Sequence, residues 1–462
     1  MFVFTACARI EYQPEPLDPV RIQASVQERN LDEQAFLDYL AALADESQSG
    51  SEPSWNLRLL TLAAFYHNPK MQVAYEELNL HKARLQTASR RINPTLNVPL
   101  EHHSDTSGNV SPWMIGLIPD FVYERKGKRE ARIDQAKAGL ESAKFHIREV
   151  AWNLRDRLHA AYLEYYSALE EKRLASARNE LLRQRLLALQ QRHEGGHIGG
   201  AEVAGAEVEL HKSELVLGNL QTRVGNAYHQ LVGLTGLQTD NFRDVEIQFR
   251  GFENLSRITG MDRDDFRATA LLERADMRKA LSDYEALEYG LRLEIEKQYP
   301  DITLSPGLIF DQSDKIWAIG SAWMLPLFHN NEGPIAEALA ERSIMQARVM
   351  ELQGGILNRL DAELDNFESM KHNLEKAEQL HVKAKSAVAA VENQYEQGYS
   401  DRLNMIDAKL NLVDSRRRVL GSRLSLLASF SRLESITQEP LYRDFDLDKS
   451  VELLYSLDES SK

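Results

Sequence analysis

The residues whose order most resembles a chemical site are His193-Glu194-Gly195-Gly196-His197. In the H-E-x-x-H arrangement two histidines one helical turn apart hold Zn²⁺ and the glutamate acts as base. That chemistry needs one unbroken helix through all five residues. Here two glycines sit inside the pattern, and Gly199 and Gly200 follow directly. Glycine supplies the permissive backbone of a tight turn, and no third ligand lies nearby in sequence. The segment therefore reads as a turn, with no catalytic residue, no metal and no cofactor assigned. His102, His103 and Asp105 are a second group of possible ligands, but their setting in HHSDTSGNVS is that of a polar surface loop.

The elements that must carry these residues are read from an internal duplication. Asn68-Pro69-Lys70-Met71 aligns with Arg274-Ala275-Asp276-Met277, Pro94 with Pro300, Trp113-x-Ile115-Gly116 with Trp317-x-Ile319-Gly320, and Gly127 with Gly333. RHEGGHIGGAEVAGAEVEL from Arg192 then aligns with QYEQGYSDRLNMIDAKLNL from Gln394. A fixed-period repeat dictates the architecture, and this unit is too long for a solenoid. Each copy reads helix, strand, strand, very long helix, tight turn, long helix. The apolar positions Ile147, Ala151, Leu154, Leu158, Ala161, Tyr165 and Ala168, and later Leu403, Ile406, Leu410 and Val413, alternate spacings of three and four. That is a coiled-coil seam.

Composition narrows the class. The chain has 462 residues and a net charge of −15, which argues against a nucleic-acid partner. No apolar run reaches the ~18 residues of a transmembrane helix. The single cysteine, Cys7, excludes a disulfide framework. Its context, Phe4-Thr5-Ala6-Cys7 before a Pro-rich polar stretch, resembles the end of a bacterial lipoprotein signal, so Cys7 is the expected lipidation site, although only a short stretch precedes it.

From the helices alone, a soluble periplasmic or cytosolic coiled-coil scaffold is the natural reading. The strands change it. Segments 94–102, 112–123, 300–310 and 316–328 are rich in Leu, Ile, Val, Thr, Phe and Trp, with prolines at their edges. Each has the length of a tilted membrane-crossing strand, and Trp113, Tyr123, Trp317 and Trp323 fall where interfacial aromatics are expected. Four strands cannot close a barrel, and an open sheet edge cannot sit in lipid, so several chains must share one barrel.

At these residues the chain resembles the TolC-type outer-membrane efflux proteins. The resemblance covers residues 58–437 and rests on the duplication, on Pro-x-Phe turns at Pro119-Asp120-Phe121 and Pro326-Leu327-Phe328, and on the hairpin turns, of which Tyr395-Glu396-Gln397-Gly398 is the better match. It implies a mainly α fold with a small β part: a homotrimer whose α-helical tunnel continues into a shared twelve-stranded transmembrane β-barrel in the outer membrane. It further implies a passive conduit from periplasm to exterior, working with a periplasmic membrane-fusion adaptor and an inner-membrane pump. The stretch Tyr123-Glu124-x-x-Gly127-Lys128-Arg129 is similar to the heavy-metal or cation branch. On this basis residues 1–57 are a leader or tether with an equatorial segment, 58–237 the first repeat with its hairpin at 128–237, 238–264 an equatorial link, 265–437 the second repeat with its hairpin at 334–437, and 438–462 an equatorial tail. Adaptor docking is expected at the tips, at Gly195, Gly196, Gly199, Gly200, Gly398, Tyr399, Ser400 and Leu403. Relatives carry two aspartates just after the second tip; the matching positions here are Asn404 and Asp407, with Glu202 in the first copy, and these are the expected gate and cation-selectivity residues.

Overall fold

The computed structural model describes residues 11–43, 55–105, 108–242, 245–249, 263–439 and 446–460. Cys7 and most of the 238–264 link lie outside them. Three short helices open the chain: α1 (Pro19–Glu28), α2 (Gln34–Ala42) and α3 (Leu57–His67). The first repeat follows as α4 (Pro69–Ser89), β1 (Thr95–Asn97), β2 (Leu100–His102), β3 (Trp113–Tyr123), α5 (Lys126–Glu194) and α6 (Gly200–Thr235). After α7 (Arg263–Leu272) the second repeat runs α8 (Ala275–Glu296), β4 (Ile302–Asp311), β5 (Asp314–Trp323), α9 (Glu332–Glu396) and α10 (Arg402–Thr437). The chain closes on α11 (Leu447–Ser460).

Helix α5 has 69 residues and α9 has 65, each about 100 Å at 1.5 Å per residue. No proline interrupts α5. Its expected seam is the buried face: Ile147, Ala151, Leu154, Leu158, Ala161 and Ala168 are all buried. Beside each long helix run two half-length helices stacked end to end. The end of α6 abuts the start of α4, and the end of α10 abuts the start of α8. At the first joint the Asn68 amide donates to Leu234 O (2.8 Å) and accepts from Lys70 N (2.9 Å), so one side chain satisfies both helix ends. Gly236 closes α6 at φ +83°, and a Cβ there would lie 2.5 Å from His67 O. At the aligned joint Arg274 reaches the Ser435 and Ile436 carbonyls while Asp276 holds its guanidinium, and Gln438 takes the left-handed conformation, its side chain accepting from Ala275 N (2.7 Å). The duplicated geometry is built with a neutral amide in one copy and a guanidinium in the other.

The helices pack in the order α6–α4 stack, α5, α10–α8 stack, α9. Helices α2, α3 and α11 and residues 239–242 and 245–249 make a girdle against the middle of α5, with Tyr39 Oη donating to Ser450 O (3.0 Å). His67 lies in this core against Phe36 and Tyr66. Burial, and secondarily the Arg29 guanidinium, push it down to about 4. Its neutral form is favoured in the fold, so its contribution is complete above the ordinary value near 6.5 and is lost as pH falls toward the folded value. Taking the protein from pH 7 to pH 5 is expected to cost about 1–2 kcal/mol per chain, measured by thermal unfolding, and His67→Phe should flatten that slope.

The strands form one antiparallel sheet in the order β1/β2–β3–β4–β5, the first strand being split at Val98-Pro99. Gln312 and Ser313, both at positive φ, make the two-residue turn between β4 and β5. One expectation is corrected: Pro119-Asp120-Phe121 is not a turn but lies inside β3. Proline has no N–H to donate, and the β3–β4 ladder skips residues 118–120 and resumes at Phe121↔Leu304. Pro326-Leu327-Phe328 does lie beyond β5, in the approach to α9. No described helix is long and apolar enough to cross a membrane.

Candidate functional site

The two hairpin turns are built alike. Gly196 (φ +73°) and Gly398 (φ +78°) occupy equivalent left-handed positions, where a side chain would be strained. His197 N donates to Arg192 O, and Tyr399 N donates to Gln394 O. Helix α5 ends at Glu194, so His193 and His197 do not share a helical face; His193 Nδ1 instead lies 3.0 Å from Ile198 O. No cluster of three or more metal-ligating side chains occurs among the described residues. The tips differ at the start of the return helix. Gly199 precedes α6 with no side-chain cap, whereas Asp401 caps α10 by accepting from Asn404 N (2.8 Å). This backbone hydrogen bond, then Arg192, holds the Asp401 carboxyl below its usual range. Gly195, Gly200, Tyr399 and Asn404 are exposed, while Ser400 and Leu403 are half-buried.

Asp401 also receives Arg192 of the other hairpin at 2.7 Å. That contact is the lowest rung of a ladder. Arg185 bridges Glu209 of α6 (2.7 Å) and Asp407 of α10 (3.1 Å), and Arg178 bridges Glu209 (3.2 Å) and Asp414 (3.4 Å). Arg178, Arg185 and Arg192 recur every seventh residue, so they share one stripe of α5 and tie the first hairpin to the second. The expected gate residue Asp407 is thus charge-compensated within its own chain. Glu202 is exposed in the first turn of α6, where the helix dipole favours it. The two are not paired with each other. Sequence reasoning missed the arginines, although their heptad spacing against Asp407 and Asp414 was readable.

At the other end the sheet separates two faces. Leu117, Phe121, Leu304, Leu308, Trp317 and Ile319 stand on one, apolar and outward; the other mixes the small or polar Gly116, Thr303, Ser305, Gly307, Ala318 and Gly320 with Ile118, Val122, Ile309 and Ile316. His102, the last residue of β2, stacks edge-on against Trp113 of β3, and His103 just beyond it lies 3.4 Å from Asp311 at the end of β4.

Residues 267–437 match the family model described as outer membrane efflux protein. No curated protein matches the sequence. Solved structures match along most of the chain. The outer membrane protein VceC of Vibrio cholerae is 19% identical, with a TM-score of 0.66 over 82% of this chain and 95% of its own. The Campylobacter jejuni outer membrane channel CmeC is 15% identical, with a TM-score of 0.69 over 89% and 94%. The Neisseria gonorrhoeae outer membrane channel MtrE, solved in its open state, is 15% identical, with a TM-score of 0.65 over 84% and 90%. Identities at this level carry the fold, and the family model carries the sequence pattern of the second repeat. Residues 267–437 thus carry the sequence pattern of the outer membrane efflux proteins, and the chain as a whole is similar in fold to the outer-membrane channels VceC, CmeC and MtrE.

Proposed function

We propose that three copies of this chain close into one passive duct, the outer-membrane channel of a tripartite export system. The observation that carries this reading is that both layers are open at the same two edges. The sheet ends on β1/β2 at one side and β5 at the other; the helical wall ends on the α6–α4 stack at one side and α9 at the other. Both edge helices carry exposed apolar side chains, with Val73, Leu80 and Leu215 on one side and Ile344, Met350 and Val382 on the other. Unlike edges that meet head to tail close into a ring, and the same rotation closes sheet and wall. Three copies give twelve strands, enough for a barrel without an edge in lipid. A soluble scaffold would not explain an apolar outward sheet face. Extraction in mild detergent followed by native mass measurement should give a membrane-derived trimer; a soluble monomer would overturn the reading.

The exposed tips, Gly195–Gly200 and Gly398–Leu403, are the proposed surface for a periplasmic adaptor, through which the inner-membrane pump couples. Asp407, Glu202 and Asn404 are the proposed gate residues. The Arg185 bridge to Asp407 and Glu209 holds the two hairpins of one copy together near the tip. Arg185→Gln removes one cation per copy, freeing Asp407 and leaving Glu209 to Arg178 alone. Planar-bilayer recordings should then show cation over anion permeability rising on the order of twofold, since exposed charges in salt water are screened. Unchanged selectivity would remove this ladder from the conduction path. Heavy-metal or cation cargo is consistent with exposed carboxylates of this kind.

A further inference from the structure

We propose that the groove between the two hairpins of a single copy, upstream of the tip, binds an organic anion with an apolar body. The groove is floored by α5 and walled by α6 and α10, with a volume of about 670 Å³, within the range of small-molecule sites. Leu174, Ala175, Val216, Leu220 and Val413 make its apolar lining.

Its charges are unevenly used. Every carboxylate that lines it is already engaged: Glu171 by Arg223 (2.9 Å), Glu209 by Arg178 and Arg185, and Asp414 by Arg178. Its other cations, Lys212, Arg417 and Arg418, are exposed and have no hydrogen-bonding or ionic partner among the described residues. In a chain with net charge −15, where arginines are paired so widely, three free cations over an apolar floor select for an anionic head on a hydrophobic body. Arg417 is also the residue that interrupts the apolar seam of α10, a substitution that packing alone does not account for.

The groove's direction gives the site a role. At about 100° per residue, Tyr162, Tyr166 and Arg173 share one face of α5, the face that meets Phe249 of the girdle. Glu171, Ala175 and Arg178 lie on the opposite face. The groove therefore opens away from the girdle, which in the closed ring is the tunnel side. The binding claim stands on one copy; only its position inside the passage rests on the duct reading. There it provides a waypoint for amphiphilic anions.

The test is calorimetric titration of 2-naphthalenesulfonate into the full-length protein in nanodiscs, beside the neutral 2-naphthalenemethanol. Saturable sulfonate binding is expected, with the alcohol at least tenfold weaker. Arg417→Gln/Arg418→Gln should weaken the sulfonate at least tenfold and leave the alcohol unchanged. These side chains hold no partner among the described residues, so the fold should survive; Lys212→Gln, expected to weaken binding severalfold, gives a second reading should the double variant fail to assemble. No saturable binding, equal binding of the alcohol, or undiminished binding in the variants would overturn the site. Conductance in planar bilayers is read separately, so loss of the site and loss of the duct are distinguishable.

Discussion

Ile319→Arg is expected to abolish assembly in the membrane, while Ala318→Arg, one residue earlier, leaves it largely intact. Successive side chains of a strand point to opposite faces. Ile319 lies mid-strand on β5, opposite Pro306, on the face that carries Trp317 and Trp323, and it is 88% exposed in the isolated chain. An apolar side chain left that open has lipid as its natural surrounding. An arginine on the lipid face near mid-bilayer costs about 2–4 kcal/mol. Because every copy carries the change, a three-copy barrel would lose roughly 6–12 kcal/mol, comparable to the whole stability of many domains. Ala318 lies on the face with Gly307 and Gly320, where the water-filled interior of the proposed barrel would accommodate charge. The readout is the yield of detergent-resistant oligomer in the outer-membrane fraction. Equal yields from the two variants would sink the assignment of the apolar face to lipid.

How much of this was legible in the sequence follows from the range of each interaction. The long helices were, because a seam such as Ile147, Ala151, Leu154 and Leu158 repeats a local period that burial then obeys. The positive-φ glycines at the tips were, since Gly196 and Gly398 align and few other residues suit that backbone. The helix-on-helix joints were not. Asn68 and Leu234 are far apart in sequence, and nothing in NPKM or in RADM announces that each caps the end of another helix. Pro119 misled for a related reason: locally it signals a turn, but its place in β3 is set by its pairing with Leu96 of β1 and by the pairing of its flanks with β4. The proposed gate residues were picked by position, yet the ionic partner of Asp407 is Arg185 of a different hairpin. A one-dimensional reading supplies residue types at a site more readily than their partners.

Glu434→Ala is expected to destabilise the chain by about 3–5 kcal/mol, because it removes the carboxylate that faces a buried arginine. Glu434 on α10 and Arg155 on α5 are 1% and 4% exposed, and their side chains meet at 2.7 Å. His159 Nδ1 lies 3.6 Å from the other carboxylate oxygen and 2.9 Å from Ser431 Oγ. Burial is the largest influence on the Glu434 carboxyl and pushes it up, but Arg155 and His159 together outweigh it and hold it below its ordinary range. Its contribution is therefore complete above the ordinary glutamate value near 4.3 and is lost as pH falls through the lower folded value. Removing both charges is a different experiment. In the register that aligns Arg192 with Gln394, Arg155 corresponds to Leu357 and Glu434 to Val232, so the other repeat holds apolar residues at the same positions. Replacing a buried ion pair by packed apolar side chains is often neutral or stabilising. Arg155→Leu/Glu434→Val should accordingly recover most of the loss in thermal unfolding, where Glu434→Ala alone does not. If the double variant is no more stable than the single one, the pair is a requirement of the hairpin-to-hairpin contact itself. If the single variant costs under about 1 kcal/mol, the value of an exposed pair, then water reaches the cluster and the seam between the two repeats is looser than its burial indicates.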